Sequence, residues 1–475
     1  MNAFMLPALC LAAAPEAMAA SPDAFIEAYA RDHAFNGSVL VQAGGEIRYT
    51  GSFGLASIAF DVPNDARTRY PIASITKLFT STLILQLRDE GRLDLDRSVR
   101  TYLPDYRGEA ADKVTVRQLL DHTSGLPGYD GITDAASAMR DGMPVYQLPH
   151  DTDSLLARYA SGKLVSVPGT KFEYNNADYI VLGKIVERLR GETFDEALRQ
   201  YLLQPLGLRD SGMLRQDTTV PRLAETYFHR TGNGPLTPDL PSYPENWYAS
   251  GAMYATPQDL LAFANALFGG KILGKDSMAQ LLTPGLDDYG LGLWVYEAWS
   301  DGRAHRVAKR PGRIMGANTQ LYRFLDCDLT VIVLGNTDAA DTDEFVAGIG
   351  NEVLHAADCA KSEWGAHPST RLGHLQAIAL CDSNGNNCAP SRTMAKPAVS
   401  SSSRSASTST RMLPASISAW NLRRIGSGSA APTSADAQPP MIAPATVAAA
   451  TPVQPMPSIG TSMPTSPTSR PVAAP

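Results

Sequence analysis

What this sequence lacks narrows its function before any motif is considered. It has no run of basic residues and no interleaving of arginine with aromatics: 41 Lys and Arg stand against 48 Asp and Glu, a formal net charge of −7. A nucleic-acid surface is therefore not expected, because neutralising phosphates takes clustered cations. No apolar run reaches the roughly 20 residues that a bilayer-spanning helix needs, so no transmembrane anchor is expected. Histidine is sparse (8 residues) and cysteine sparser (5). No Cys or His spacing resembles a zinc site, and neither a metal nor another cofactor is expected. Nothing repeats.

What is present is a chain of 475 residues, 44% apolar, with ample length for a large core. Its composition divides it. Residues 401–475 hold 5 Arg, no Lys and one acid, Asp436, and 49 of the 75 are Ser, Thr, Pro or Ala. Such a segment cannot bury enough surface to offset its ordering entropy. We read 392–475 as a disordered tail, 361–391 as a transition and 21–360 as the globular body. The first 400 residues carry the acidity, with 36 basic against 47 acidic side chains. At the other end, an apolar stretch from Phe4 to Ala14 followed by Ala17-Met18-Ala19 fits a signal peptide over residues 1–20, and with it a periplasmic or secreted protein. Cys381 and Cys388 flank Asp-Ser-Asn-Gly-Asn-Asn, a loop that a local disulfide could close in an oxidising compartment.

Patterning within the body is mixed. Amphipathic spacing predicts a helix from Pro22 to His33, and alternation around Ala43-Gly44-Gly45 predicts a hairpin of 38–42 with 46–50. An apolar-rich segment from Ser74 to Glu90, stopped by Gly91, predicts a buried helix. Further helices are expected at 153–161, 177–190 and 193–203, strands at 291–297, 319–325 and 329–334, and a capped helix at 342–354. Strands at both ends with helices between them imply an α+β fold: one antiparallel sheet, helices on it, and a helical insertion between its strands.

Ser74-Ile75-Thr76-Lys77 opens the buried helix and places Ser74 and Lys77 on one face. Ser74 could simply cap the helix, yet a capping box would put Glu or Gln where Lys77 stands. A cation at the positive end of a helix dipole is misplaced unless it is meant to give up its proton, as the base for a serine hydroxyl must. Downstream, Phe172-Glu173-Tyr174-Asn175-Asn176 follows the Pro168-Gly169-Thr170 turn. A Tyr and an Asn two apart on a tight loop can both point into a cleft, one to relay protons and one to bond a substrate amide.

Taken in this order, these motifs resemble the serine β-lactamase and penicillin-binding-protein superfamily, in its branch of class C β-lactamases, D-alanyl-D-alanine carboxypeptidases and related esterases. Thr115 to Tyr129, Pro168 to Glu187, Pro205 to Met213, Ser250 to Leu260 and Tyr289 to Trp294 carry the resemblance further, over about residues 22–355. It implies a β-lactamase/transpeptidase-like fold and a serine hydrolase working through an acyl-serine, foremost an enzyme like a D-alanyl-D-alanine carboxypeptidase or β-lactamase. Ser74 is then the nucleophile, Lys77 its base, Tyr174 the proton relay and Asn176 a substrate contact. The family's Lys-Thr-Gly or His-x-Gly strand motif is altered here: Arg310-Pro311-Gly312 lies where it belongs, and Arg230-Thr231-Gly232 is closer only by letter. By likeness, Arg310 would meet a substrate carboxylate from an edge strand, and the backbone N–H groups of Ser74 and Arg313, after Gly312, would form the oxyanion hole. His122 and Ser124 suggest a Ser-His-Asp triad, but no Gly-x-Ser-x-Gly elbow surrounds Ser124, and the stretch reads as a structural loop near the cleft. The expected partners are small-molecule or peptidoglycan-peptide substrates: D-amino-acid peptides, β-lactams or small esters. Rival readings are a carboxylesterase of the same fold and a binding protein that keeps the pocket without turnover.

Overall fold

From Gly37 to Ala43 every residue is buried, and the side chains alternate in destination. Val39 and Val41 join one core cluster and Leu40 another, the period of two expected of a strand covered on both faces. The computed structural model in which this is seen describes residues 22–129, 139–231, 234–300 and 302–356, and the backbone of 379–381 and 388–390.

In chain order the framework is α1 (Asp23–Asp32), β1 (Gly37–Ala43), β2 (Glu46–Phe53), α2 (Thr76–Asp89), α3 (Asn176–Arg190), α4 (Pro257–Phe268), β3 (Trp294–Ser300), β4 (Arg303–Ile314), β5 (Ala317–Phe324), β6 (Leu329–Gly335) and α5 (Thr342–Ala356). The six strands form one antiparallel sheet in the order β3-β4-β5-β6-β1-β2, so the two ends of the body meet where β1 pairs with β6, Val39 opposite Val333. The residues between β2 and β3 supply the helical insertion. On one face α1 and α5 bury Ile26, Phe345, Val346 and Ile349 against Val39, Val331 and Val333. Each such side chain contributes on the order of 1.5–3 kcal/mol. On the other face Leu40, Leu321, Ile332 and Leu334 join the larger core, which holds Phe79 of α2 stacked on Phe263 of α4 at 3.8 Å.

Most expected elements appear within a few residues. The segment 193–203 is broken: an α-helix at Phe194–Leu198 passes into a π-turn at Arg199–Leu203. The long strand β4 was not foreseen beyond its motif, because Arg303, His305, Arg306, Lys309, Arg310 and Arg313 hide its alternation. β3 pairs with β4 only as far as Lys309, so Arg310 to Ile314 have β5 on one side and, among the described residues, no strand partner on the other. Pro311 sits in this stretch, where its missing N–H costs no ladder bond.

Of the terminal segments, 1–20 and 392–475 lie outside the described residues. Within the transition segment, Ala379–Cys381 and Cys388–Pro390 pair antiparallel, with Cys381 opposite Cys388. Cys327, Asp326 and His305 come within 4.8 Å of one another. The Cys327 sulfur is in a disulfide and offers no thiolate, and His305 Nδ1 lies 2.9 Å from Asp326, so the group is spoken for without a metal.

Candidate active site

Ser74 occupies a 3₁₀ turn, Ala73–Ile75, that runs directly into α2. The cap positions are Ile72 for the turn and Ile75 for the helix, neither with a side-chain cap, so Ser74 is not a helix cap. Ala73 beside it has φ +46, an uncommon conformation for alanine that the surrounding packing must hold. Lys77, fully buried, donates from Nζ to Asn176 Oδ1 at 2.7 Å, to the Ser250 carbonyl at 2.9 Å and to Ser74 Oγ at 3.2 Å. The first two partners only accept here and therefore fix two of its hydrogens. Once the amine is neutral its lone pair must occupy the third direction, toward Ser74. Burial brings Lys77 down to about 8, with Arg310 pushing the same way and Tyr174 opposing.

Tyr174 precedes α3, whose N-cap Asn175 accepts from Ala177 N, placing Asn176 in the first turn. The Lys77 ammonium lies 4.8 Å from the centre of the Tyr174 ring. Burial raises the phenol, but the Arg310 guanidinium and Lys77 outweigh it and bring Tyr174 down to about 8. Asn176 accepts from Lys77 and donates to Tyr146 OH at 3.3 Å, and Tyr146 in turn stacks on Trp247 at 4.0 Å. The carboxamide is thus tied to the base as well as available to the cleft.

Arg310 is turned inward. It is 1% exposed, and its donors go to the protein itself: Nε to the Ser74 carbonyl (2.8 Å), Nη1 to Tyr289 OH (2.7 Å) and the Gly292 carbonyl (3.3 Å), Nη2 to Tyr174 OH (2.5 Å). In this structure Arg310 reaches across to the phenols. Gly312 is needed where it stands, since a Cβ there would lie 2.3 Å from the Ile72 carbonyl and 3.1 Å from Ser74 N. The next residue, Arg313, carries an exposed side chain, on the strand that packs against the Ser74 turn. Arg230, the rival by letter, sits at the end of the separate hairpin Tyr227–His229/Leu236–Pro238 and donates to the Pro238 carbonyl.

Serine, buried lysine, phenol and strand motif therefore converge on one point, and the sequence matches the Beta-lactamase family over residues 22–351. The chain belongs to that family. Members of this family are serine hydrolases. The chain is 27% identical to the putative penicillin-binding protein PbpX of Bacillus subtilis, over 57% of this chain and 64% of that protein. With esterase EstB of Burkholderia gladioli it shares 36% identity over 42% of this chain and 52% of the esterase. The chain thus spans about half to two thirds of these relatives. A penicillin-binding protein from Bacillus halodurans superposes with a TM-score of 0.57 at 29% identity, covering 66% of this chain and 94% of that one.

Beneath the Beta-lactamase-family site lies the His122 loop. Ser124 Oγ donates to Asp178 Oδ1 (2.5 Å), and His122 Nδ1 lies 2.7 Å from Asp178 Oδ2. The carboxyl is in the middle of this chain of three, whereas a hydrolytic triad needs the imidazole there. All three residues are buried, so Ser124 is no nucleophile. Sequence reasoning missed Tyr289, Asp178 and the Ser250 carbonyl. Tyr289 and Ser250 lie in two of the resembling stretches, but nothing local in the sequence marks them as partners of Arg310 and Lys77.

Proposed function

We propose that the protein hydrolyses carboxyl esters, and activated amides of similar size, through an acyl-Ser74 intermediate, without depending on a carboxylate in the substrate. The observation that carries this reading is the internal use of Arg310: the strand cation is buried and bonded to Tyr174, Tyr289 and two carbonyls. The relative named an esterase, at 36% identity, points the same way.

In this mechanism Lys77 and Tyr174, both near 8, compete for one proton. Loss of that proton leaves a base facing Ser74 Oγ, which attacks the carbonyl while its hydrogen passes to the Lys77–Tyr174 pair. The backbone N–H groups of Ser74 and Arg313 receive the oxyanion, and Asn176 orients the acyl side. The pair then gives the proton to the leaving alkoxide, and water repeats the sequence to free Ser74. Because the active form has lost a proton, kcat/KM should rise with pH and level off above about 8. Cys327 in a disulfide supports an oxidising, extracytoplasmic location.

The test sets a nitrophenyl acyl ester beside an acyl-D-alanyl-D-alanine peptide and a penicillin, with mass spectrometry of the trapped enzyme. Turnover of the neutral ester, an acyl mass on Ser74 and loss of both in Ser74→Ala are expected. Preferential turnover of the carboxylate-bearing substrates would overturn the ester reading, and an active Ser74→Ala the whole assignment.

A further inference from the structure

His122 lies under the site, and the mechanism above does not use it. It is 1% exposed with φ +58, a conformation uncommon outside glycine, asparagine and aspartate. Its contacts bracket Tyr174. The Glu173 N–H donates to the His122 carbonyl at 2.8 Å and the Asn175 N–H donates to His122 Nδ1 at 3.2 Å, so the backbone on both sides of Tyr174 ends on one residue. The imidazole also packs on the Tyr174 ring, centroids 4.4 Å apart.

The hydrogen-bond geometry favours one placement of the protons. Nδ1 meets the Asn175 N–H and, at 2.7 Å, Asp178 Oδ2. Imidazole Nδ1 has one in-plane site, which the short contact to Asp178 takes, and the Asn175 N–H directed at the same atom favours a lone pair there over a hydrogen. A bare Nδ1 facing an ionised oxygen at 2.7 Å would oppose two lone pairs, so Oδ2 carries the hydrogen. The rest of the chain agrees: Leu126 N donates to Ser124 Oγ at 3.0 Å, and Ser124 donates to Asp178 Oδ1 at 2.5 Å. The imidazole hydrogen is left on Nε2, which has no conventional hydrogen-bond partner and sits among the rings of Tyr174, Tyr179 and Tyr289.

We propose that His122 is a positioning residue for Tyr174, held as a neutral imidazole by a protonated Asp178 that donates to its Nδ1. This rests on the acyl-Ser74 reading for its effect on turnover, though not for the proton assignment. Burial pushes Asp178 well above the usual carboxylate range, with Asp121 and Glu173 adding to it and Ser124 and Lys77 opposing. Burial, then Lys77 and Arg310, hold His122 well below its ordinary value. The first turn of α3 would by itself favour an anion at Asp178. Complete burial and the bare Nδ1 oppose it. The consequence is that no negative charge lies under the phenol to cancel the pull of Lys77 and Arg310.

The experiment has two arms. Infrared difference spectra of the full chain at neutral pH, with and without Asp178→Asn, read the proton directly. A carboxylic-acid C=O band lost in the variant is expected, and its absence from the wild type would overturn the assignment even if the Ser74 reading stands. In the second arm kcat, KM and the pH limb are measured for the neutral ester. His122→Ala should lower kcat about 100-fold at little-changed KM, the cost of a misplaced relay. His122→Asn keeps an acceptor for the Asn175 N–H and tolerates positive φ, and should recover about ten-fold of that loss. Asp178→Asn can donate to Nδ1 and accept from Ser124 as the acid does, and should lose far less than Asp178→Ala. Equal losses in His122→Ala and His122→Asn with an unmoved pH limb would reduce His122 to packing. An Asp178→Asn as damaged as Asp178→Ala would show that the anion was required. Should His122→Ala fail to fold, the spectra and the Asp178 pair still decide. Retained activity in Ser74→Ala would mark failure of the underlying reading instead.

Discussion

Lys309 and Arg310 are neighbours on β4, both cationic and both withdrawn from solvent, yet the pleat sends them to opposite faces of the sheet and to opposite fates. Lys309 meets Asp343 of α5 at 2.7 Å, and Tyr322 OH donates to the same carboxylate at 2.6 Å. This is a neutralised buried pair, and burial's pull on Lys309 is outweighed by Asp343. The four hydrogen bonds of Arg310 go to two phenols and two carbonyls, none of them a formal anion. Burial disfavours its charge, and the phenols Tyr174, Tyr289 and Tyr179 sustain it. A counter-ion on one face therefore satisfies a charge and holds a helix. Its absence on the other leaves the charge to act on Tyr174. The fold tolerates the second arrangement because rigid donors and acceptors saturate the guanidinium, which an ammonium of three hydrogens could not match.

Substitutions at the two positions should separate along the same line. Arg310→Met should lower kcat/KM by about 10²- to 10³-fold, on the scale of a lost electrostatic donor in an active site, and equally for esters with and without a carboxylate. It should also move the pH limb upward by about 1 to 2 units, because Arg310 depresses both Tyr174 and Lys77. A loss confined to carboxylate-bearing substrates would return Arg310 to substrate binding and break the contrast. Lys309→Met should leave kcat/KM within about two-fold and cost about 3 kcal/mol of stability in denaturant titration, since Asp343 then stays buried without its partner. A catalytic defect at unchanged stability would show that the two faces communicate.

Asp178, a buried acid without a cation bonded to it, sharpens the same contrast through pH. Its native pKa is raised, so the folded protein keeps a proton that the unfolded chain releases above about pH 4. Wild-type stability from this group is thus fully present below about pH 4 and declines as pH rises toward the native value. Asp178→Asn does not titrate. Its stability relative to wild type should improve by up to about 1.4 kcal/mol for each pH unit in that window, read from denaturation midpoints at several pH values. A difference that does not change with pH would mean that Asp178 is ionised in the folded protein.

Much of the architecture was legible because it rests on local periodicity. The β1–β2 hairpin, the apolar α2, and β5 and β6 announce themselves by alternation or apolar spacing that no tertiary contact needs to supply. β4 did not, since its charged residues are stabilised by partners far along the chain: Asp343 for Lys309, Tyr174 for Arg310. The π-turn at Arg199–Leu203 was likewise invisible, as a helix that widens for one turn keeps nearly the same residue preferences.

The site divides in the same way. Ser74 and Lys77 stand three apart at a helix start, and Tyr174 and Asn176 two apart on a loop, so the sequence alone determined that each pair shares a face. That Gly312 stands where β4 approaches the backbone of the Ser74 turn came only with the tertiary structure. What Arg310 and His122 do was decided only by tertiary structure. The first reaches Ser74 across 236 positions of chain and Tyr174 across 136. The second reaches Asn175 and Asp178 across 53 and 56. A guanidinium or an imidazole is chemically the same group whether it faces a substrate, a carboxylate or a phenol. Only the burial and partners that the fold supplies choose its charge state, and with it the work the residue can do.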